Sequence, residues 1–83
     1  MDNPEWTVVK VTPQGNYTLV VEFSDGSIKK VDMSPVIEKD AVFAPLKNTP
    51  LFMTAKEQYG TVVWTDKIDI APEYLYEHGV DIK

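Results

Sequence analysis

The stretch that decides the fold runs from Tyr17 to Pro35 and reads YTLVVEFSDGSIKKVDMSP. Asp25-Gly26 separates two runs of β-branched and aromatic residues, which is the strongest short-range sequence signal for a β-hairpin. Counting outward from a two-residue turn predicts the cross-strand pairs Phe23 with Ile28, Glu22 with Lys29 and Val21 with Lys30. This register places four apolar side chains on one face of the hairpin: Leu19, Val21, Phe23 and Ile28.

A further strand is predicted before the hairpin, over Trp6 to Thr12, because this segment is rich in β-branched residues. The residues between Thr12 and Tyr17 include proline, glycine and asparagine, which favour a turn. A connection this short cannot hold the crossover helix that parallel pairing requires. We therefore expect the first three strands to form an antiparallel meander.

Short helical segments are predicted after the meander. Ser34 followed by Pro35 is typical of a helix start, with serine as the N-cap and proline at the first helical position. Residues 41–44 are interpreted as a connector that inserts Phe43 into the core, and a second short helix is expected to begin at Thr49. Neither segment is long enough to be a stable helix without tertiary packing.

A second hairpin is predicted from Glu57 to Thr65, with Gly60 at its turn and with Val62 and Trp64 on one face. The alternation resumes at Ile68, after a bulge or turn. Pro72 then opens a final helix over Glu73 to His78, and Gly79 is its C′ stop. The predicted fold is α+β, in one domain spanning residues 1–83: a small, mainly antiparallel sheet made of a three-stranded meander and a second hairpin, with short helical turns and a short C-terminal helix.

The charge balance limits the possible partners. Thirteen acidic residues face eight basic ones in a chain of 83 residues, and all eight are lysines. Arginine is the best bidentate ligand for phosphate and guanine, so we expect no direct binding to nucleic acid. Five acids between Asp66 and Asp81 accompany a single lysine, Lys67, so this part of the chain should favour a protein partner with a basic surface.

The sequence also bears on location. It has no cysteine, hence no disulfide framework and no thiolate zinc site. The first residues lack the basic and apolar regions of a signal peptide, and no apolar run approaches the length of a membrane span. We expect a cytoplasmic protein without membrane contact.

Residues that could carry chemistry have simpler interpretations. A serine hydrolase needs serine, histidine and an acid together, and the one histidine, His78, lies near the end of the terminal helix, where it favours the helix dipole. Glu73 and Glu77 lie one helical turn apart and are interpreted as solvated carboxylates. The four glycines are isolated, so no phosphate-binding loop is present. We predict no catalytic residue, no metal ligand and no cofactor.

The C-terminal helix provides the candidate partner surface. Ala71 and Leu75 are one turn apart and should face the sheet, which directs the acidic positions toward solvent and leaves a tyrosine at the boundary. An exposed tyrosine there could anchor a partner, with the acids supplying complementary charge. The predicted surface consists of Asp69, Glu73, Tyr74, Tyr76 and Glu77.

Several residues of the chain, taken in order, resemble an uncharacterised bacterial family, the domain of unknown function 2442. The residues that carry this resemblance are Phe23, Asp25-Gly26, Asp32, Ser34-Pro35, Leu46, Phe52, Val63-Trp64, Asp69-Ile70-Ala71-Pro72-Glu73 and Leu75-Tyr76. The resemblance implies a small α+β domain with an antiparallel sheet and no established activity. It also implies a gene often placed beside that of another small protein, as in toxin and antitoxin pairs.

The leading hypothesis is therefore a non-enzymatic protein-interaction domain, the antitoxin-like or scaffolding partner of a small basic protein. One alternative is a small metal-assisted hydrolase using Asp69, Glu73 and His78. Another is a transcription-associated regulator that acts through a partner's DNA-binding domain. The sequence leaves homo-oligomerisation open.

Overall fold

The computed structural model describes residues 7–65 and 67–82, so the predicted strand residue Trp6 and the turn residue Asp66 lie outside the described residues. Within these ranges the strands form two antiparallel sheets, with strand orders β1-β2-β3-β7 and β4-β5-β6. This architecture confirms the predicted α+β class, the meander and the second hairpin. The elements are β1 (Val8–Gln14), β2 (Thr18–Phe23), β3 (Ile28–Asp32), α1 (Ser34–Lys39), a 3₁₀ helix (Ala41–Lys47), α2 (Thr49–Phe52), β4 (Lys56–Gln58), β5 (Thr61–Thr65), β6 (Ile68–Ile70), α3 (Pro72–His78) and β7 (Val80–Asp81).

The central hairpin forms, but its register differs from the predicted one by one residue. Glu22 pairs with Ile28 and Val21 pairs with Lys29. A shift of one residue moves every side chain of a strand to the other face of the sheet. The predicted position of Ile28 on the inner face was therefore wrong, and the inner face instead receives Lys29, which is buried.

The loop of this hairpin explains the shift. The Phe23 amide donates to the Ser27 carbonyl at 2.9 Å, and the Gly26 amide donates to the Phe23 carbonyl at 3.0 Å, so three residues connect the strands. Only Gly26 among these three has positive φ, at 93°. A three-residue loop with glycine in the left-handed region is the next most common hairpin connection after the two-residue turn. The Asp25 carboxylate completes it by accepting from the Ser27 amide at 2.9 Å.

Gly26→Val should destabilise the fold by about 1–3 kcal/mol, because a β-branched residue rarely adopts positive φ. Gly15→Val is the matched control: an added Cβ would meet no atom within 4 Å at either position, and only Gly26 has the left-handed φ. Urea midpoints measure both effects. Equal midpoints for the two variants would show that the backbone of Gly26 is not what the loop requires.

A two-residue turn does occur, at the tip of the second hairpin. Tyr59 and Gly60 both have positive φ, 56° and 80°, and Gln58 pairs directly with Thr61 across them. Positive φ at both central positions is the mark of a type I′ turn. The predicted turn at Gly60 is confirmed, and the Glu57 carboxylate holds it by accepting from the Gly60 amide at 2.9 Å.

The first strand lies later in the chain than predicted. It runs over Val8–Gln14, and Tyr17 belongs to the connecting loop with φ 57°. Packing holds Tyr17 in this unusual conformation. Its hydroxyl donates to the Lys47 carbonyl at 2.5 Å, and its ring forms a T-shaped pair with the Phe52 ring at 5.5 Å between centroids. Tertiary contacts here outweigh the local preference of tyrosine for a strand.

The first helix begins at Ser34, one residue earlier than predicted. Ser34 is already helical and Met33 is the N-cap, with no side-chain hydrogen bond from the cap. The Asp32 carboxylate accepts from the Ser34 amide at 2.9 Å instead. The assignment of Ser34 as the cap was therefore wrong, because a carboxylate two residues upstream satisfies the same group of amides.

One hydrophobic core lies between the sheets and the short helices. The predicted insertion of Phe43 is confirmed, as is the inward face of Val62 and Trp64. The Trp64 indole donates to the Phe52 carbonyl at 3.0 Å, which satisfies its polar atom inside the core. The buried apolar residues are Val8, Leu19, Val21, Phe23, Val31, Met33, Ile37, Phe43, Leu46, Phe52, Ala55, Val62, Trp64, Ile68, Ile70 and Leu75.

The C-terminal helix is confirmed over Pro72–His78, but Gly79 has another role than the predicted one. Its φ is −78°, so it is not a left-handed stop. A Cβ at this position would lie 2.8 Å from the Lys29 Cβ and 2.8 Å from the Leu75 carbonyl oxygen. Glycine therefore allows the chain to pass close over Lys29 and add β7, which the sequence did not predict, to the edge of the first sheet.

Gly79→Ala should destabilise the fold by about 1–3 kcal/mol, the usual range for overpacking a close contact. The loss should be concentrated in β7, so hydrogen exchange at the Ile82 amide, which donates to the Ile28 carbonyl at 3.0 Å, should accelerate. Unchanged exchange at Ile82 together with an unchanged unfolding midpoint would contradict the close-approach explanation.

None of the helices in the described part of the chain combines the length and the hydropathy that a membrane span needs.

Candidate functional site

The five residues of the predicted partner surface lie on β6 and α3, and they do not all face solvent. Asp69, Glu73 and Glu77 are exposed, whereas Tyr74 and Tyr76 are half-buried. Leu75 is fully buried, as predicted. Ala71 is not: it is the exposed N-cap of α3 and does not face the sheet, because the helix begins one residue later, at Pro72.

Tyr76 contacts the central hairpin. Its hydroxyl donates to the Asp25 carboxylate at 2.5 Å, and its ring meets Phe23 edge-on at 4.9 Å between centroids. The Lys29 ammonium lies 4.6 Å from the centre of the same ring. Each of these contacts is internal to the domain, so Tyr76 holds α3 on the first sheet.

The Lys29 ammonium connects the same parts of the structure. It lies 2.8 Å from the Asp81 carboxylate, and its side chain is only 11% exposed. A cation removed from water is costly unless a carboxylate or an aromatic face compensates for the lost hydration, and Lys29 has both. Lys29 of β3 is thereby in contact with Tyr76 of α3 and with Asp81 of β7.

The hydrogen bond from Tyr76 lowers the pKa of the Asp25 carboxyl below its ordinary value of 3.8, and the Ser27 amide lowers that pKa further. A group with a lowered folded-state pKa stabilises the fold above its unfolded-state pKa, and that contribution is lost as the pH falls through the folded-state value. Protonation of Asp25 at acid pH should therefore weaken the contact that holds α3 on the central hairpin.

Tyr76→Phe should raise the pKa of Asp25 toward 3.8 while the Ser27 amide still lowers it, because the largest cause is removed. The carboxyl carbon shift of Asp25, followed by NMR over an acid titration, measures this change. Tyr74→Phe is the control, since its hydroxyl is not among the groups that shift the pKa of Asp25. An unchanged pKa of Asp25 in Tyr76→Phe would rule out the hydroxyl contact.

Tyr74 lies on the α1 side of the helix and stacks on His78. The ring centroids are 4.1 Å apart with an interplanar angle of 17°, and His78 Nδ1 is 3.0 Å from the Tyr74 carbonyl oxygen. Burial raises the pKa of the Tyr74 hydroxyl, and the negative charge of Asp32 adds to this shift. His78 thus contacts the last turn of its own helix, in line with the structural interpretation of the single histidine.

Two grooves meet at the Tyr74–His78 stack, and both contain charges of both signs. One, of about 740 Å³, has Lys30 and Asp32 on its walls. The other, of about 580 Å³, has Lys39, Asp40 and Asp69. Among the described residues, the first groove has one acid and one lysine, and the second has two acids and one lysine, so a lysine offsets part of the negative charge in each.

A third groove, of about 630 Å³, lies at the tip of the second hairpin and contains only negative charge. Asp69 and Glu73 line it together with Tyr59, and no lysine is among its lining residues in the described ranges. A neighbouring depression of about 250 Å³ shares Tyr59 and Asp69.

Tyr59 is the residue that the sequence interpretation missed. It is 93% exposed, whereas the two tyrosines predicted as anchors are half-buried. Part of the signal was present in Gly60 before the β-rich run of residues 61–65, since a two-residue hairpin turn projects its side chains beyond both strands. The antiparallel pairing of β5 with β6, which includes Val63 with Asp69, then brings Asp69 toward that tip.

The described side chains are not arranged as a metal centre. Within residues 7–65 and 67–82, no three histidine or carboxylate groups are placed so that they could hold a metal ion. Asp69 and Glu73 line the same groove, but a hard cation such as calcium takes six to eight oxygen ligands.

The fold and its surfaces define a small α+β domain with two antiparallel sheets, a short C-terminal helix and an acidic groove at one hairpin tip. The sequence model of the family described as "Protein of unknown function (DUF2442)" matches residues 8–81, nearly the whole chain. The chain belongs to this family, which confirms the resemblance. No significant match to a curated protein or to a solved structure was found.

Proposed function

We propose that this chain is a non-enzymatic protein-interaction domain of the bacterial cytoplasm, which binds a small basic protein in an antitoxin-like or scaffolding role. The observation that carries the proposal is the groove in which Asp69 and Glu73 stand without a lysine. Among the residues that the structure describes, its lining carries two carboxylates and no lysine, whereas the groove with Lys30 has one acid and one lysine. Asp69 also lines the groove with Lys39, so Glu73 is the carboxylate that has no lysine in its groove within the described ranges. A partner with a basic surface would supply the missing charge.

The exposure of the acids determines what they contribute. Asp69, Glu73 and Glu77 are all exposed, so each interacts with a partner across solvent of high dielectric constant. Charges of this kind change the free energy of binding little but steer the encounter, within a Debye length of roughly 8 Å at physiological ionic strength. These three carboxylates form the acidic surface, which should control how fast a basic partner associates, whereas apolar contacts should control how long it stays bound.

The two alternatives have weaker support. A metal-assisted hydrolase would use Asp69, Glu73 and His78, but His78 lines the groove on the α1 side and Glu73 lines the groove at the hairpin tip. A regulator acting through a DNA-binding partner needs the same protein contact as the leading proposal. It is therefore one form of that proposal, distinguished by the identity of the partner.

The test compares two charge reversals of equal size in the tagged full chain. Glu73→Lys with Glu77→Lys alters the acidic surface, and Glu22→Lys with Glu38→Lys gives the same net charge elsewhere. A basic protein retained from the native host, or the product of the neighbouring gene, should associate roughly tenfold or more slowly with the first variant, with a weaker salt dependence, because electrostatic steering is lost. The second variant should associate like the wild type.

Stopped-flow or surface-based kinetics give the association rates, and unfolding midpoints confirm that both variants fold. Equal association rates for the two double variants would place the functional surface away from α3. Retention of a partner without a basic surface would contradict the proposed charge complementarity.

A further inference from the structure

Tyr59 combines a strained backbone with an aromatic ring that the fold does not use. Its φ of 56° lies in the left-handed region, which bulky L residues rarely adopt and which favours asparagine or glycine in a type I′ turn. Its ring is 93% exposed. Burial therefore contributes nothing that would offset the strain.

Tyr17 provides the internal comparison. It has nearly the same φ, 57°, but its ring packs against Phe52 and its hydroxyl donates to the Lys47 carbonyl. The fold explains that tyrosine. Across the described part of the chain, Tyr59 has no comparable ring or hydroxyl contact, so the fold does not explain this tyrosine as it explains Tyr17.

The turn that carries Tyr59 is fixed in place. The Gly60 amide donates to the Glu57 carboxylate at 2.9 Å, and the Gly60 carbonyl accepts from the Val8 amide at 2.9 Å. A Cβ on Gly60 would lie 3.1 Å from the Thr7 Cβ, which shows how closely the turn packs on the residue that precedes the first strand. A ring on a rigid turn loses little conformational entropy when it binds, which favours an anchoring role.

The surroundings of the ring select the chemistry of its ligand. Tyr59 and Asp69 line both depressions at the hairpin tip, and Glu73 lines the larger one. A cation placed there meets the electron-rich face of an aromatic ring and one or two carboxylates. An anion would be repelled, and a purely apolar side chain would leave the carboxylates without a partner.

We propose that Tyr59 is the anchor of the partner-binding surface and receives an arginine or lysine side chain of a protein partner, with Asp69 and Glu73 pairing its charge. This inference rests on the proposed function, since it names the chemistry that the basic partner would present. Asp69 and Glu73 belong to the surface predicted from the sequence. The proposed anchor is different: it is Tyr59, whereas the sequence predicted Tyr74 or Tyr76.

The first test uses a defined probe in place of the unidentified partner. An acetylated, amidated Gly-Arg-Gly-Arg peptide is titrated into the ¹⁵N-labelled full chain, with Gly-Gln-Gly-Gln as the uncharged control. We expect shift changes at Gly60, Thr61 and Asp69 with the arginine peptide only. Shift changes concentrated at Asp32 or Asp40 would overturn the proposal.

Two substitutions separate the ring from the fold. Tyr59→Asn removes the ring and suits the left-handed turn, so its unfolding midpoint should equal or exceed that of the wild type. Its affinity for the arginine peptide should fall roughly two- to fivefold, the effect expected for an exposed cation–π contact. Tyr59→Phe keeps the ring and should keep the affinity. Equal affinities for wild type and Tyr59→Asn would defeat the proposal.

The protein partner gives the second test and distinguishes the two proposals. Tyr59→Asn should accelerate dissociation of the basic partner, whereas Glu73→Lys with Glu77→Lys slows its association. If peptide binding depends on Tyr59 but no basic partner exists, the anchor is right and the proposed function is wrong. If the partner responds to the charge reversal but not to Tyr59→Asn, the function is right and the anchor is wrong.

Discussion

The buried side chain of Lys29 is the constraint on which much of this structure depends. Its side chain is 11% exposed on the inner face of the sheet, and it lies 2.8 Å from Asp81 and 4.6 Å from the centre of the Tyr76 ring. A cation held against the inner face of the sheet is less favourable there without a carboxylate or an aromatic ring beside it. The central hairpin therefore requires α3 and β7, because these two elements supply the compensating carboxylate and ring.

This constraint also fixes which side of α3 reaches solvent. With Tyr76 held against Phe23 and Asp25, the period of the helix turns Tyr74 toward α1 and leaves Glu73 and Glu77 exposed. The orientation of the acidic surface thus follows from a contact on the opposite side of the helix. A weakened Lys29 contact would be expected to disturb that surface without altering any of its residues.

Local patterns predicted the elements well, and long-range contacts account for the errors. Asp25-Gly26 is compatible with both a two-residue and a three-residue loop, and the choice places either Ile28 or Lys29 on the inner face. The alternation of apolar and polar residues alone favours Ile28 on the inner face. The lysine is acceptable there only because Asp81, far along the chain in a two-residue strand, reaches it. Such a short strand has no sequence signal, so the register and its cause were both beyond local reasoning.

The candidate site illustrates the same division between local and long-range information. The exposure of Asp69, Glu73 and Glu77 follows from strand alternation and helix period, so the sequence could predict it. The place of Tyr59 beside Asp69 follows instead from how β5 pairs with both of its neighbours. The turn that carries Tyr59 is fixed by two hydrogen bonds, from the Val8 amide to the Gly60 carbonyl and from the Gly60 amide to the Glu57 carboxylate. The second sheet and its turn therefore position Tyr59 and Asp69, and α3 adds Glu73 to the same groove.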